Sequence, residues 1–263
     1  MLSVRSRRLV SLDKYDQPTS QNVRVLVSGN GRMGALVAQA VEQSEGFELA
    51  GQVGIEHVAV LDGTEGTLDG VDLVIDFTNK DMLPHLARYL RRHPAALVCG
   101  TTGFDEDDFA DLDELAEQMP VLWSSNYSVG VALLKRLARE ASGVLGAWDI
   151  EIVETHHNKK ADAPSGTALS LLEAVDEQGS CEHIFGREGM LGERPQKQIA
   201  VHALRGGTVA GTHTVHFFGP DEEVALTHRA TSRQIFVSGA LAAALKLVGK
   251  PAGRYSFDEL MFG

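Results

Sequence analysis

VRVLVSGNGRMGALVAQAV, residues 23–41, opens with five β-prone residues, turns through three glycines and continues into a breaker-free run of helical character. Strand, glycine turn and helix, in that order, are the context in which the G-x-G-x-x-G spacing of Gly29, Gly31 and Gly34 predicts a dinucleotide site. Glycine admits the tight turn and the close approach of backbone to a pyrophosphate, while the helix start aims free N–H groups and positive potential at it. Arg32, inside the turn, adds a phosphate partner. A glycine turn can also serve packing alone, so the motif needs support from the rest of the chain.

That support comes from both directions along the sequence. Apolar runs at 47–53, 71–77 (VDLVIDF), 95–99 and 121–123 read as strands, with helices at 35–41, 82–92 and 107–118. Alternating strands and helices imply an α/β, Rossmann-like domain with a parallel sheet. Ligands bind beyond the carboxyl ends of such strands, where Asp76, Phe77 and Thr78 follow one strand and Gly100, Thr101, Thr102 and Gly103 the next. The ribose-binding acid expected at the end of the second strand is missing at Val53 and Gly54. Glu56 is the nearest acid and a candidate partner for a 2'-hydroxyl, so the choice between NADH and NADPH stays open.

The pattern changes near residue 129. A helix at 129–145, a strand at 148–155, a helix at 165–177 and strands at 199–204, 212–218 and 223–230 predict a second, α+β domain with a mixed or antiparallel sheet. An apolar helix at 235–247 and a short turn at 257–261 are expected to pack back on the first domain. The predicted division is a flexible arm over 1–21, a dinucleotide-binding domain over 22–128 and 236–263, and a substrate domain over 129–235.

Composition bounds the function. The 263 residues are 43% hydrophobic and 23% charged, as in ordinary globular chains. A formal net charge of -12 repels nucleic acid and anionic membrane, so an anionic substrate needs a local pocket of cations. Cys99 and Cys181 form no CxxC, which favours a reducing compartment, read as the cytoplasm, and argues against structural zinc. No apolar run approaches the ~18 residues of a membrane span. Arg5, Arg7 and Arg8, with no acid before Asp13, faintly resemble a transit peptide, but an unstructured arm is the simpler reading.

The cation pocket is sought in ETHHNKKADAPSGTAL, residues 154–169, where a strand end meets a helix start. His156 and His157 point to opposite faces of an extended strand, so they do not share one task, and as neighbours they make a poor metal chelate. No metal is expected. Lys159 and Lys160 disfavour each other's protonation, which suits a lysine to proton donation near neutral pH. Pro164, Ser165, Gly166 and Thr167 begin a helix with no acid before Glu173, leaving its first N–H groups to a carboxylate. Two cationic side chains and a helix N-terminus are thus expected to converge on one anion. A solvated charged loop is the bland alternative, and the helix start argues against it.

These motifs together resemble the dihydrodipicolinate reductases, also called 4-hydroxy-tetrahydrodipicolinate reductases. The resemblance runs from residue 23 to the C-terminus and rests on GRMG (31–34), DFT (76–78), GTTGF (100–104), NYSVGV (126–131) and HHNKKADAPSGTA (156–168). It implies hydride transfer from NADH or NADPH to C4 of a small cyclic dicarboxylate, with the 4-hydroxyl lost as water, in lysine and diaminopimelate biosynthesis. By the same resemblance Lys160 is the proton donor, His156 a proton donor or acceptor, and His157, Gly166 and Thr167 substrate contacts. Gly29, Asn30, Gly31, Arg32, Met33, Gly100, Thr101, Thr102, Ser124, Ser125, Asn126 and Tyr127 would hold the dinucleotide, and the second-domain sheets would join a homotetramer. Arg205 and its RGG turn also look like a family segment, without an assigned role. The glycine turn is the shorter of the family's forms, and the family's ribose acid aligns with Gly54. A non-catalytic NAD(P)-binding sensor, or another Rossmann-type amino acid dehydrogenase, would share the glycine turn. Neither accounts for HHxxK followed by PSGT.

Overall fold

The computed structural model describes residues 22–66 and 68–263, so the arm expected over 1–21 lies outside the described residues. The first part alternates β1 (Val23–Ser28), α1 (Arg32–Gln43), β2 (Phe47–Val53), a 3₁₀ turn (Ile55–His57) leading into α2 (Val58–Asp62), β3 (Leu73–Asp76), α3 (Leu83–Arg92), β4 (Ala96–Cys99), α4 (Glu106–Ala116) and β5 (Pro120–Trp123). Every residue of β3 and β4 is buried, because helices cover both faces of the sheet. Short α2 carries too little periodicity to be read from the sequence.

The chain then runs through α5 (Val129–Leu145), β6 (Asp149–His156), α6 (Gly166–Val175), β7 (Glu182–Ile184), β8 (Gln198–Arg205), β9 (Gly211–Gly219) and β10 (Glu222–Ala230). It ends in α7 (Gln234–Leu247), β11 (Gly253–Tyr255) and α8 (Phe257–Phe262). β11 adds a parallel strand beside β5 and completes a six-stranded sheet in the order β11-β5-β4-β3-β1-β2. Nothing in the sequence pattern marks β11, since three residues show no alternation. The expected turn at 257–261 is instead helix α8. Ser256 and Glu259 cap it reciprocally, with Ser256 N–H donating to Glu259 Oε2 at 2.8 Å and Glu259 N–H to Ser256 Oγ at 3.1 Å.

Two apolar layers flank this sheet. Val237, Ala240, Leu241 and Leu247 of α7 pack with Val37 of α1 on Val25 and Val27, and Leu86, Leu90, Leu112 and Leu115 pack on Leu26, Val74 and Leu97 from the other side. The second sheet has five strands in the order β10-β9-β6-β8-β7. It is mixed: β6 lies antiparallel to β9 and parallel to β8. One face packs Ile150, Ile152, Val215 and Phe217 on Leu134, Ala138, Leu171 and Leu172 of α5 and α6. The opposite face is covered only in part, where Arg187 and Arg194 reach Glu151.

α7 approaches the backbone that leads into α5 more closely than any side chain would allow. A Cβ on Gly239 would lie 1.7 Å from the Tyr127 carbonyl oxygen, a backbone atom that cannot rotate away. Gly239→Ala is expected to cost about 1–3 kcal/mol of stability, the usual range for overpacking. A urea midpoint equal to that of the parent chain would show that α7 is free to shift.

Candidate active site

The three glycines of the first turn have different reasons to be glycine. Gly29 has φ 132°, and a Cβ there would lie 2.7 Å from the Phe77 carbonyl oxygen; one on Gly34 would lie 1.9 Å from the Gly29 carbonyl oxygen. Those two are fixed by packing. A Cβ on Gly31 would meet nothing within 4 Å. The open space before Gly31 is what a pyrophosphate requires, and no side chain caps α1 and no acid stands in its first turn. Asn30, Gly31 and Arg32 are exposed there, and Met33 is partly buried on the core. The turn therefore fits a dinucleotide.

Glu56 closes the same end of the sheet. Asn30 Nδ2 donates to its carboxylate, and a Cβ on residue 54 would fall 2.6 Å from Glu56 Oε2. Gly54 thus leaves room for a carboxylate arriving from two residues further on. A backbone hydrogen bond and then Asn30 hold the Glu56 carboxyl below the usual range.

Along the sheet, Asp76 is buried at the end of β3, and burial pushes its carboxyl up while Thr101 and Thr78 hydroxyls donate to it at 2.5 and 2.7 Å. Thr101 is therefore turned inward, leaving only its backbone for the cleft, where Trp123 Nε1 already donates to its carbonyl at 2.8 Å. Tyr127 is likewise a core residue: its hydroxyl donates to the Cys99 carbonyl at 2.8 Å and its ring packs on Phe77 and Phe257. Gly100 is required by the Phe77 ring, 2.2 Å from where its Cβ would stand. Thr102 and Ser125 are exposed, and Ser124 Oγ donates to the Asn126 carbonyl at 2.8 Å. Asn126, expected beside the dinucleotide, reaches the other domain, donating from Nδ2 to Thr167 Oγ1 at 3.0 Å.

In the second sheet, alternation places Glu154 and His156 on one face of β6, with His156 Nδ1 2.5 Å from Glu154 Oε2. Glu154 is fully buried. Arg205 donates to both its oxygens, at 2.9 and 2.8 Å, and Ser165 N–H donates to Oε1 at 3.0 Å. Burial alone would raise the Glu154 carboxyl, but these bonds outweigh it and hold it below the usual range. The RGG turn pairs with the His156 loop, Gly206 N–H donating to the His156 carbonyl at 2.9 Å and Asn158 N–H to the Gly207 carbonyl at 3.3 Å.

The expected convergence of two free cations on the helix start is not what the structure shows. Lys160 Nζ lies 2.8 and 2.9 Å from the carboxylate oxygens of Asp162, Lys159 is exposed, and His157 Nδ1 accepts from Lys159 N–H at 3.2 Å. Asp162, two residues beyond Lys160, belongs to no spacing pattern that marks it as a lysine partner. Ser165 does cap α6, its Oγ accepting from Ala168 N–H at 3.2 Å, and the N–H groups of Gly166 and Thr167 have no acceptor within the helix. His156, Thr167 and Asn126 line one cavity of about 40 Å³, room for roughly one water, with His213 and His228. Among the described residues, no group of three or more His, Cys, Asp or Glu is placed to hold a metal ion.

Glu154, His213 and His228 escaped the sequence reading, and Arg205 stood in it without a role. Register unites them: Glu154 stands opposite His213, His213 opposite His228, and His156 opposite Arg205. Strand alternation from His156 to Glu154 was the one signal available in the sequence. Ser165 Oγ also lies 3.1 Å from His213 Nε2, and His213 Nδ1 is buried without a partner.

A parallel sheet with an open glycine turn, facing a mixed sheet that carries histidine, lysine and a helix N-terminus, defines an NAD(P)-dependent oxidoreductase. Two family descriptions match nearly the whole described chain: "Dihydrodipicolinate reductase, N-terminus" over residues 23–127 and "Dihydrodipicolinate reductase, C-terminus" over 130–261. This chain belongs to the dihydrodipicolinate reductase family. It is 44% identical over 261 residues to the 4-hydroxy-tetrahydrodipicolinate reductase of Anaeromyxobacter sp. (strain Fw109-5), covering 91% of this chain and 97% of that one. It is 40% identical over 246 residues to the enzyme of that name from Haloarcula marismortui, covering 90% and 98%. A dipicolinate-bound dihydrodipicolinate reductase from Paenisporosarcina sp. TG-14 shares the fold, with a TM-score of 0.73, 21% identity and coverage of 92% of this chain and 100% of that one.

Burial first, and the neighbouring His156 next, push His213 down to about 4 from its ordinary 6.5. A depressed histidine contributes stability that is fully present above 6.5 and is lost as pH falls towards 4, because the unfolded chain binds the proton first. Unfolding free energy measured in urea is therefore expected to drop between pH 7 and pH 5. His213→Asn should flatten that drop; an equal slope in both proteins would deny His213 the role.

Proposed function

We propose that this chain reduces 4-hydroxy-tetrahydrodipicolinate to tetrahydrodipicolinate with NADH or NADPH, releasing the 4-hydroxyl as water, in lysine and diaminopimelate biosynthesis. The observation that carries this reading is the meeting of His156 and Thr167, from one motif, with Asn126, from another, around one cavity. When bound, the nicotinamide supplies a hydride to C4. The departing hydroxyl needs one proton to leave as water, and the chain's own residues must deliver it.

Lys160 is the assigned donor. Its ammonium rests on Asp162, an exposed carboxylate that an incoming substrate can displace. His156 handles a proton at Nε2, since Glu154 occupies Nδ1. His157, the Thr167 hydroxyl and the first N–H groups of α6, at Gly166 and Thr167, grip carboxylate, where the helix dipole favours negative charge. Gly29, Asn30, Gly31, Arg32 and Met33 hold the pyrophosphate. Gly100, Thr101, Thr102, Ser124, Ser125, Asn126 and Tyr127 bound the nicotinamide end, Thr101 and Tyr127 through backbone alone because their side chains face inward.

The reading extends to organisation. We assign 22–128 with 236–263 to dinucleotide binding, since α7 and α8 share the core of β1, and 129–235 to substrate. The partly uncovered face of the second sheet, with Thr214, Thr227 and exposed Phe218, supports a homotetramer joined through these sheets. Two free thiols suit the cytoplasm.

Mixing the protein with NADH or NADPH and substrate freshly formed from pyruvate and aspartate semialdehyde should deplete nicotinamide absorbance; no loss with either cofactor ends the proposal. Lys160→Ala is expected to lower kcat by about 10²-fold or more, the usual worth of a general acid, with NADH affinity little changed. Turnover at the parent rate would remove Lys160 from the role. Thr214→Glu, which sets like charges across a sheet interface, should reduce the tetramer in light scattering, while a parent chain that elutes as a monomer would refute the assembly.

A further inference from the structure

The RGG turn and Glu154 touch no reacting atom in the chemistry just assigned, yet their contacts join both halves of the site. We infer that Glu154, clamped by Arg205, is the positioning residue of this active site: it commits His156 to present Nε2 to the cleft and ties the start of α6 to the same frame. The inference rests on the proton-handling role given to His156 above.

The contacts of the Glu154 carboxylate account for both tasks. Oε2 takes His156 Nδ1 at 2.5 Å and Arg205 Nη1 at 2.9 Å, while Oε1 takes Ser165 N–H at 3.0 Å and Arg205 Nη2 at 2.8 Å. An ionised carboxylate only accepts, so neutral His156 must carry its proton on Nδ1 and leave the Nε2 lone pair for the cavity. Gly211 keeps that nitrogen accessible, because a Cβ there would lie 3.1 Å from His156 Nε2. Arg205 Nη2 also donates to the Asp162 carbonyl at 2.6 Å, so one guanidinium braces the loop that carries Lys160.

The groups around His156 leave Glu154 as its one carboxylate partner. On β9 the His213 ring stands 5.1 Å from it, with His228 beyond on β10; on β8 the charge of Arg205 is taken up by Glu154; in the loop Asp162 is paired with Lys160. Ser165 is the other beneficiary. Its N–H anchors α6 to Glu154 one residue before Gly166, so the carboxylate-gripping turn cannot shift without disturbing the histidine.

Nitrogen-15 NMR of the histidine rings in the full chain, with His156 assigned by its loss in His156→Gln, tests the arrangement without any variant of Glu154. The expected neutral form is the Nδ1–H tautomer; an Nε2–H tautomer overturns the inference even if every Glu154 variant fails to fold. Glu154→Gln strands the Arg205 charge, so Glu154→Gln/Arg205→Gln, which removes both charges, is examined beside it. In whichever variant folds, the NADH dissociation constant should stay within about twofold while kcat falls at least tenfold, and the Nδ1–H tautomer signal of His156 should be lost with its carboxylate partner. An unchanged tautomer at parent kcat, with NADH bound normally, overturns it. Parent-rate turnover by His156→Gln would instead overturn the role given to His156, an outcome distinct from the tautomer result.

Discussion

The Glu154 carboxylate is the constraint on which the rest of this site depends. It is buried, ionised and shared among a guanidinium, an imidazole and a helix-start N–H. A buried charge survives only when such partners satisfy it, and stranding either member of a buried pair costs about 3–5 kcal/mol. The partners come from three elements: Arg205 from β8, His156 from β6 itself and Ser165 from the entrance to α6. Folding cannot complete the ion pair without also setting the histidine and the helix start, so the stability of the pair and the geometry of the site are one problem. The arrangement carries a cost of its own, since Arg205 Nε is buried without a partner.

The two domains solve opposite electrostatic problems with the same device. The first must offer positive potential to a pyrophosphate while the chain as a whole carries a net charge of -12. It does so with a helix start that carries no acid in its first turn. The second repeats the device at α6, but there the first-turn N–H groups sit beside side chains already paired, Lys160 with Asp162 and Arg205 with Glu154. Each of these cations is held in place by a carboxylate partner. Asp162 is exposed and Glu154 is not, so the Lys160 pair is the more readily opened of the two.

Inside the first sheet, Asp76 shows the contrasting outcome for a buried carboxyl. Among the described residues no cation reaches it, its hydrogen bonds come from hydroxyls and the Cys99 thiol, and burial pushes it up instead of down. Glu154 and Asp76 therefore stand at strand ends of the two sheets in opposite protonation tendencies. Neighbouring charge, more than depth, separates them. Asp76 fixes Thr101 and Thr78 beneath the cleft floor, and the Asn126 bond to Thr167 spans from that floor to the substrate helix.

Local sequence determined what depends on local physics. The glycine turn between strand and helix, the buried parallel strands, the capped start of α6 and the family motifs were legible because each is a property of a few adjacent residues. β7, β11 and α2 were not, being too short to show a period, and neither was the ordering of α8 by its Ser256 cap. The inward turn of Thr101 and Tyr127 was equally hidden, since a side chain's direction at a strand end depends on what lies beneath it. Glu154 was visible two residues before His156, but its meaning required Arg205, brought opposite His156 by the β6 to β8 register, and His213, brought opposite Glu154 by the β6 to β9 register. Tens of residues separate those partners in the chain. Register across such distances is set by how whole faces bury against α5 and α6, a condition that only the tertiary structure decides.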